Sequence, residues 1–217
     1  MVIKACLFDL DGVIVDTAKY HFMAWHRLAD KMAIPFTEAQ NEQLKGVSRV
    51  DSLEKLLSWG GIVLDNLKKM ELLELKNQWY LNYVENMPAD EILPGVKEFL
   101  TELRDNDIRV GLGSSSKNAP LILDKLGITS LFDTVVDGNR VHFSKPHPEV
   151  FLRGARDLGV KPEETVVFED ALSGVEAALA GNFRCIGIGE PNVLNKAHAV
   201  IPALDGMSVA RMKELLG

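Results

Sequence analysis

Cysteine is scarce in this chain: Cys6 and Cys185 are the only two in 217 residues. That is too few for a disulfide scaffold, and the compartment expected is a reducing cytoplasm. No apolar stretch approaches the length that spans a bilayer. The apolar run at residues 2–8 is cut off by Asp9 and Asp11, too early for the hydrophobic part of a secretory signal. Internal repeats and low-complexity linkers are missing too. Positive charge is in deficit, with 24 Lys and Arg against 31 Asp and Glu and a net charge of -7. Such a surface repels nucleic acid and anionic membranes, so neither is expected as a partner. An anionic ligand must be drawn in by a local cluster of cations or by a metal.

What remains is ordinary material for a soluble globular protein, 47% apolar and 25% charged. The length allows one large domain or a core with a smaller insertion. Residues 2–8 read as a fully buried strand, nearly continuous in apolar residues and then stopped by acids and Gly12. From Tyr20 to about Asn86 the pattern turns helical. Trp25, Leu28, Ala29 and Met32 recur at helical spacing, as do Leu53, Leu56 and Leu57. A long helix over roughly 65–86 is expected to carry Leu72, Leu75, Trp79 and Tyr83 on one stripe. Beyond Pro88 strands and helices alternate. A helix opens near Pro94, with proline in its first turn, and a strand follows at 109–113. The next helix carries Leu121, Ile122 and Leu126 and ends at Gly127. Further strands are expected at 134–136, 165–168 and 185–188, with helices near 149–158 and 173–180; residues beyond about 190 add little. Alternation of this kind predicts an α/β fold, a doubly wound parallel sheet. The helical block is then an inserted cap. The expected division is a Rossmann-like core at 1–16 and 88–217 and an all-helical cap at 17–87.

In open α/β sheets ligands collect beyond the carboxyl ends of the strands. Polar groups fall at four such places: Asp9 and Asp11 in Phe8-Asp9-Leu10-Asp11-Gly12, Ser114 after Gly113, Lys145 in Ser144-Lys145-Pro146, and Glu169-Asp170 after Phe168. Each alone reads as a turn, a helix cap or a surface lysine. Together they are harder to dismiss, because carboxylates converging on one edge repel one another unless a divalent cation or protonation intervenes. Oxygen donors without His or Cys clusters point to Mg2+ rather than zinc. A lysine and a hydroxyl complete a phosphate site. In such a site a carboxylate attacks phosphorus, and the acid two residues on protonates the leaving alcohol.

These residues, in this order, resemble the motifs of the haloacid dehalogenase superfamily. The resemblance implies that Asp9 is the nucleophile, and that the second acid, Asp11, marks a phosphotransferase rather than a dehalogenase. It also implies metal contacts from Asp9, the Asp11 backbone carbonyl and Asp170, with Glu169 in support, and catalytic roles for Ser114 and Lys145.

The helical block bears on the substrate. In Leu44-Lys45-Gly46-Val47-Ser48-Arg49 the arginine can grip a phosphate bidentately beside a glycine that permits close approach, or the segment can be a solvated loop between helices. Lys76 lies in the middle of an apolar stripe, either snorkelling from the core or facing a cleft. His21 either couples to Asp11 or packs structurally; Trp25 belongs to the cap core with one edge toward the cleft. Tyr20-His21-Phe22, Ala24-Trp25, the loop at 44–49 with Asp51-Ser52-Leu53, Lys76-Asn77 and Ser114-Ser115-Ser116-Lys117-Asn118 resemble one branch of that superfamily. That branch interconverts β-glucose 1-phosphate and glucose 6-phosphate through the bisphosphate. The core motifs do not separate it from the alternative, a sugar-phosphate or phosphoglycolate-type phosphatase in which water discharges Asp9. The resemblance implies a substrate site drawing on His21, Trp25, Lys45, Gly46, Ser52 and Lys76, beside Ser114 and Lys145. It implies that Arg49, Ser116, Lys117 and Asn118 hold the phosphate remote from Asp9. The expected partner is a small sugar phosphate, bound by a monomer.

Overall fold

The computed structural model describes residues 2–88 and 91–217. Met1, Ala89 and Asp90, which belong to the expected core segments, lie outside the described residues. The chain opens with β1 (Ala5–Phe8), then runs through helices α1 (Ala18–Lys31), α2 (Glu38–Glu42), α3 (Arg49–Trp59) and α4 (Asn66–Glu85). It continues as α5 (Val96–Asp105), β2 (Arg109–Gly113), α6 (Ala119–Lys125), β3 (Thr134–Val136) and α7 (Glu149–Asp157). It ends with β4 (Thr165–Glu169), α8 (Leu172–Ala180), β5 (Arg184–Ile188), β6 (Ala199–Ile201) and α9 (Val209–Leu216). The strands form a six-stranded parallel sheet in the order β3-β2-β1-β4-β5-β6. From β1 the chain works outward to β3, then returns to lay β4 on the other side of β1. That reversal opens a crevice at the carboxyl ends of β1 and β4, where ligands bind in such sheets.

The apolar run of β1 follows from burial of both its faces. Cys6 and Phe8 enter one cluster with Phe99, Leu112 and Phe168, while Ala5 and Leu7 enter another with Phe151 and Val167. Phe8 stacks on Phe168 with ring centroids 4.7 Å apart, and Phe99 stands edge-on to both at 6.1 and 5.5 Å. The helical insertion has its own cluster, built on Trp25, Leu28, Leu53, Leu56, Leu57 and Leu72. Three of its four helices, α2, α3 and α4, are capped by side chains. Ser48 accepts from the Asp51 amide, Asp65 from the Lys68 amide, and Thr37 and Gln40 form a capping box.

Several expectations need correction. β1 starts at Ala5, since Val2 is 69% exposed and Lys4 continues the ladder only through backbone bonds with Glu164 and Arg109. The buried stripe of α4 is Leu72, Lys76, Tyr80 and Val84, with Leu75, Trp79 and Tyr83 on its half-buried flank. Pro94 precedes α5 instead of entering its first turn, because Gly95 occupies the N-cap in a left-handed conformation. Leu121 is half exposed; Ala119, Ile122 and Leu123 carry the buried face of α6. The tail contributes more than expected: β6 extends the sheet, and α9 seats Met212 against Cys6. Among the described residues no helix is long and apolar enough to cross a membrane.

Candidate active site

Where β1 ends, the Asp9 amide donates to the Phe168 carbonyl at 3.0 Å, so the ladder to β4 fixes the backbone at Asp9. Its carboxylate is nearly buried, and Oδ1 accepts from Lys145 Nζ at 2.5 Å. Lys145, on the loop after β3, donates equally to Glu169 Oε1 at 2.5 Å. Burial by itself pulls the pKa of the Lys145 ammonium down. Asp9 and Glu169 more than reverse that and hold it above the ordinary lysine range. Burial lifts Glu169 while Lys145 pulls it back; with an ammonium at 2.5 Å, the ionised carboxylate is the form that fits. Glu169 also accepts from the Ala171 amide at 2.9 Å, so it lies fully buried behind Lys145 as that lysine's anchor. Ser114 follows β2, its amide bonded to the Val136 carbonyl and its hydroxyl accepting from the Ser116 amide at 3.1 Å.

Asp11 is held differently. Its Oδ1 accepts from the Thr17 hydroxyl, and its Oδ2 lies 3.8 Å from His21 Nε2. Burial, then the charge on Asp9, pushes its carboxyl up to about 6 against the pull of Thr17, Lys76 and Lys145. Thr17 was not among the expected site residues. It stands at the N-cap of α1 but makes no cap bond, turning to Asp11 instead. A threonine just before a helix reads as a cap from sequence, which hides this second use. Gly12, at φ +80°, lets the turn lie against Asp170: a Cβ there would sit 2.4 Å from Asp170 Oδ2. Burial, Glu169 and Asp9 raise Asp170 well above the usual carboxylate range, and the Lys45 ammonium at 3.9 Å offsets this only in part. Asp170 is thus an acid short of positive charge. Among the described residues no three His, Cys, Asp or Glu side chains gather at metal-binding distance.

A cleft of about 720 Å³ opens between the sheet edge and the insertion, lined by Asp9, Asp11 and Asp170 on one side and by cap residues on the other. His21, Trp25, Lys45, Gly46, Arg49, Ser52 and Lys76 all reach it, as do Ser114, Ser116, Lys117 and Asn118. The expected residues are therefore brought together, except that Lys145 and Glu169 sit behind its wall. Trp25 and Ser52 are almost wholly buried, Lys117 is exposed, and the Asn118 amide donates to Asn77 at 3.0 Å. Arg49 opens α3 half-buried, and among the described residues its guanidinium has neither ion pair nor side-chain hydrogen bond. Burial lowers its pKa and Glu74 partly restores it.

Lys76 is 1% exposed. Its Nζ is 3.0 Å from His21 Nδ1 and lies over the rings of Trp25 and Tyr80, at 4.8 and 4.9 Å. Burial, helped by Arg49 and resisted by Asp11, brings it from 10.5 to about 7. Burial and the charge on Lys76 likewise keep His21 neutral, well below the usual histidine range. Unfolded Lys76 keeps its proton to 10.5 whereas the folded residue releases it at about 7, so the unfolded chain binds more protons in between. Stability from this residue therefore rises with pH across that window, and the burial penalty is fully felt below it. Lys76→Met should flatten that rise, read as a smaller difference between thermal midpoints measured on either side of the window. An unchanged difference would mean that Lys76 keeps its charge in the fold.

Comparison with known proteins bears on this geometry. The family model described as haloacid dehalogenase-like hydrolase matches residues 3–182. A β-phosphoglucomutase of Bacillus subtilis is 38% identical over 213 residues, covering 97% of this chain and 94% of its own. A phosphorylated carbohydrates phosphatase of Thermotoga maritima is 33% identical over 217 residues, covering 98% and 96%. The crystal structure of a β-phosphoglucomutase from Clostridium difficile matches with a TM-score of 0.95 at 38% identity, over 99% of this chain and 97% of that one.

Proposed function

Because this chain belongs to the haloacid dehalogenase-like hydrolase family, we propose that it transfers phosphate through an aspartyl-phosphate on Asp9. The reaction interconverts β-glucose 1-phosphate and glucose 6-phosphate by way of β-glucose 1,6-bisphosphate. The observation that carries this reading is Arg49, a half-buried guanidinium without a partner among the described residues, in the same cleft as Asp9. A site that only hydrolyses a monophosphate has one anion to neutralise. This cleft offers a second cationic end.

The chemistry follows from the positions. Asp9 attacks the phosphoryl group while Lys145, pinned by Glu169, neutralises charge on the phosphate oxygens. Ser114 supplies a hydroxyl at the adjacent strand end. Asp11 hands its proton to the departing sugar oxygen and later takes one from the attacking hydroxyl. Thr17 fixes its direction, and neutral His21 lies 3.8 Å from its other oxygen. The uncompensated Asp170 and the all-oxygen donor set fit a hard divalent cation. Magnesium would be held by Asp9, Asp170 and the Asp11 backbone carbonyl, and would add positive charge against the transferring phosphoryl group. Arg49, with Ser116, Lys117 and Asn118, grips whichever phosphate is away from Asp9.

Water is in excess everywhere, so a mutase must favour the sugar hydroxyl by closing over the remote phosphate. Removing a desolvated charged partner costs about 2–5 kcal/mol, a loss of more than tenfold. Arg49→Ala should therefore slow conversion of β-glucose 1-phosphate by that much while leaving phosphorylation of Asp9 by acetyl phosphate near wild type. The thermal midpoint should hold, since Arg49 has no partner to lose. Both rates are to be measured on one preparation. If both fall together Arg49 is structural; if neither falls, hydrolysis by water becomes the better reading, as the name of the Thermotoga relative suggests.

A further inference from the structure

Away from the two chain crossings, where Lys19 and Tyr20 bond Glu91 and Lys125 bonds the Glu85 carbonyl, hydrogen bonds from the core to the helical insertion are of two kinds. Asn118 donates to Asn77 at 3.0 Å and Ser144 to Asp51 at 2.6 Å, side chain to side chain. The other kind reaches main chain: Ser115 Oγ donates to the Gly46 carbonyl at 2.8 Å, and Ser173 Oγ to the Lys45 carbonyl at 3.0 Å. These carbonyls are consecutive. The loop at residues 44–49 is thus held at one point from both sides of the crevice, by the residue after Ser114 and by the first turn of α8. The approach is close: at Gly46, with φ +70°, a Cβ would lie 2.5 Å from Ser173 Oγ. A side chain there would block the docking and strain the backbone. The same loop carries Lys45, whose ammonium faces Asp170 at 3.9 Å, and runs directly into Arg49. Neither serine hydroxyl has a part in the chemistry described above.

We propose that Ser115 and Ser173 are positioning residues that latch the insertion shut over the cleft and so set how the phosphate on Asp9 divides between sugar hydroxyl and water. The proposal rests on the phosphotransfer reading above. A neutral hydrogen bond shifts a closed-to-open ratio by roughly two- to tenfold. That is strong enough to favour closure once a substrate adds its own contacts. It is weak enough to release the bisphosphate for reorientation, which a buried ion pair at the same place would hinder. Because the acceptors are backbone carbonyls, no side-chain change in the insertion deletes them; the hydroxyls must be removed.

The test uses Ser115→Ala, Ser173→Ala and the double variant with magnesium. Glucose 6-phosphate and free phosphate are counted from β-glucose 1-phosphate and a trace of bisphosphate. Each serine removed should raise KM for β-glucose 1-phosphate by roughly two- to tenfold, and the double variant should release the largest share of free phosphate. Phosphorylation of Asp9 by acetyl phosphate and the thermal midpoint should match wild type. A double variant with wild-type KM and product ratio overturns the latch. So does a parallel fall in acetyl phosphate reactivity or midpoint, which would make the serines merely structural. A wild-type enzyme that forms no glucose 6-phosphate would instead overturn the mutase reading, and this shows before any substitution is made.

Discussion

Asp9→Asn should abolish turnover, by at least about a thousandfold in kcat, while the protein stays folded. The carboxamide is a poor nucleophile and a neutral, weaker metal ligand. Its effect on the fold should be small for a reason visible around Lys145. That ammonium bonds both Asp9 and Glu169 at 2.5 Å, so the variant keeps one buried carboxylate partner instead of leaving a bare charge. The substitution also takes a negative charge away from Asp11 and Asp170, both of which are raised in part by Asp9. The metal-free variant should consequently unfold at a temperature no lower than wild type. Two measurements check this, the rate of glucose 6-phosphate formation and the mass of the protein after exposure to acetyl phosphate. Turnover above about a thousandth of wild type, or a covalent phosphate on the variant, would remove Asp9 as the nucleophile.

The core was legible because its pattern is local. Buried parallel strands must be apolar on both faces, so β1, β2 and β4 announced themselves, and the acids and Ser114 stood where the apolar runs stopped, with Lys145 on the loop that follows β3. The stripe of α4 was misread in part. Lys76 was placed in the middle of the stripe and is buried there. The large apolar side chains of Leu75, Trp79 and Tyr83, however, drew the stripe one residue aside from Tyr80 and Val84, which are the buried positions. What the pattern left open, whether Lys76 snorkels or faces the cleft, is decided by its environment, the rings of Trp25 and Tyr80 and the nitrogen of His21. The tail was passed over because β6 is only three residues long and α9 only eight. Each takes its place by packing against a sheet already formed.

Contacts between insertion and core were invisible for a further reason. Ser115 meets Gly46 across 69 residues, Ser144 meets Asp51 across 93, and Ser173 meets Lys45 across 128. A serine near a helix start reads as a cap or a solvated hydroxyl in any window of sequence. Only the folded crevice shows it reaching the other side. The resemblance to a mutase branch pointed to Arg49 and the 114–118 segment, but it did not supply the hydroxyls that hold the Arg49 loop down, nor the threonine that aims Asp11.

Asp11→Asn separates proton transfer from the rest of the chemistry. The metal would use the backbone carbonyl of this residue, and Thr17 can still donate to an amide oxygen, so binding and local geometry should survive. What disappears is a carboxyl that burial and the Asp9 charge push up to about 6, close enough to neutrality to give and take a proton. Loss of a positioned general acid and base costs roughly a hundred- to ten-thousand-fold, and conversion of β-glucose 1-phosphate should fall within that range. The loss should depend on the leaving group. A sugar alkoxide needs a proton as it departs, whereas acetate departs without one, so phosphorylation of Asp9 by acetyl phosphate should be much less impaired than phosphorylation by the bisphosphate. Single-turnover rates with the two donors make the comparison directly. Equal impairment with both would mean that Asp11 acts on the nucleophile or the metal.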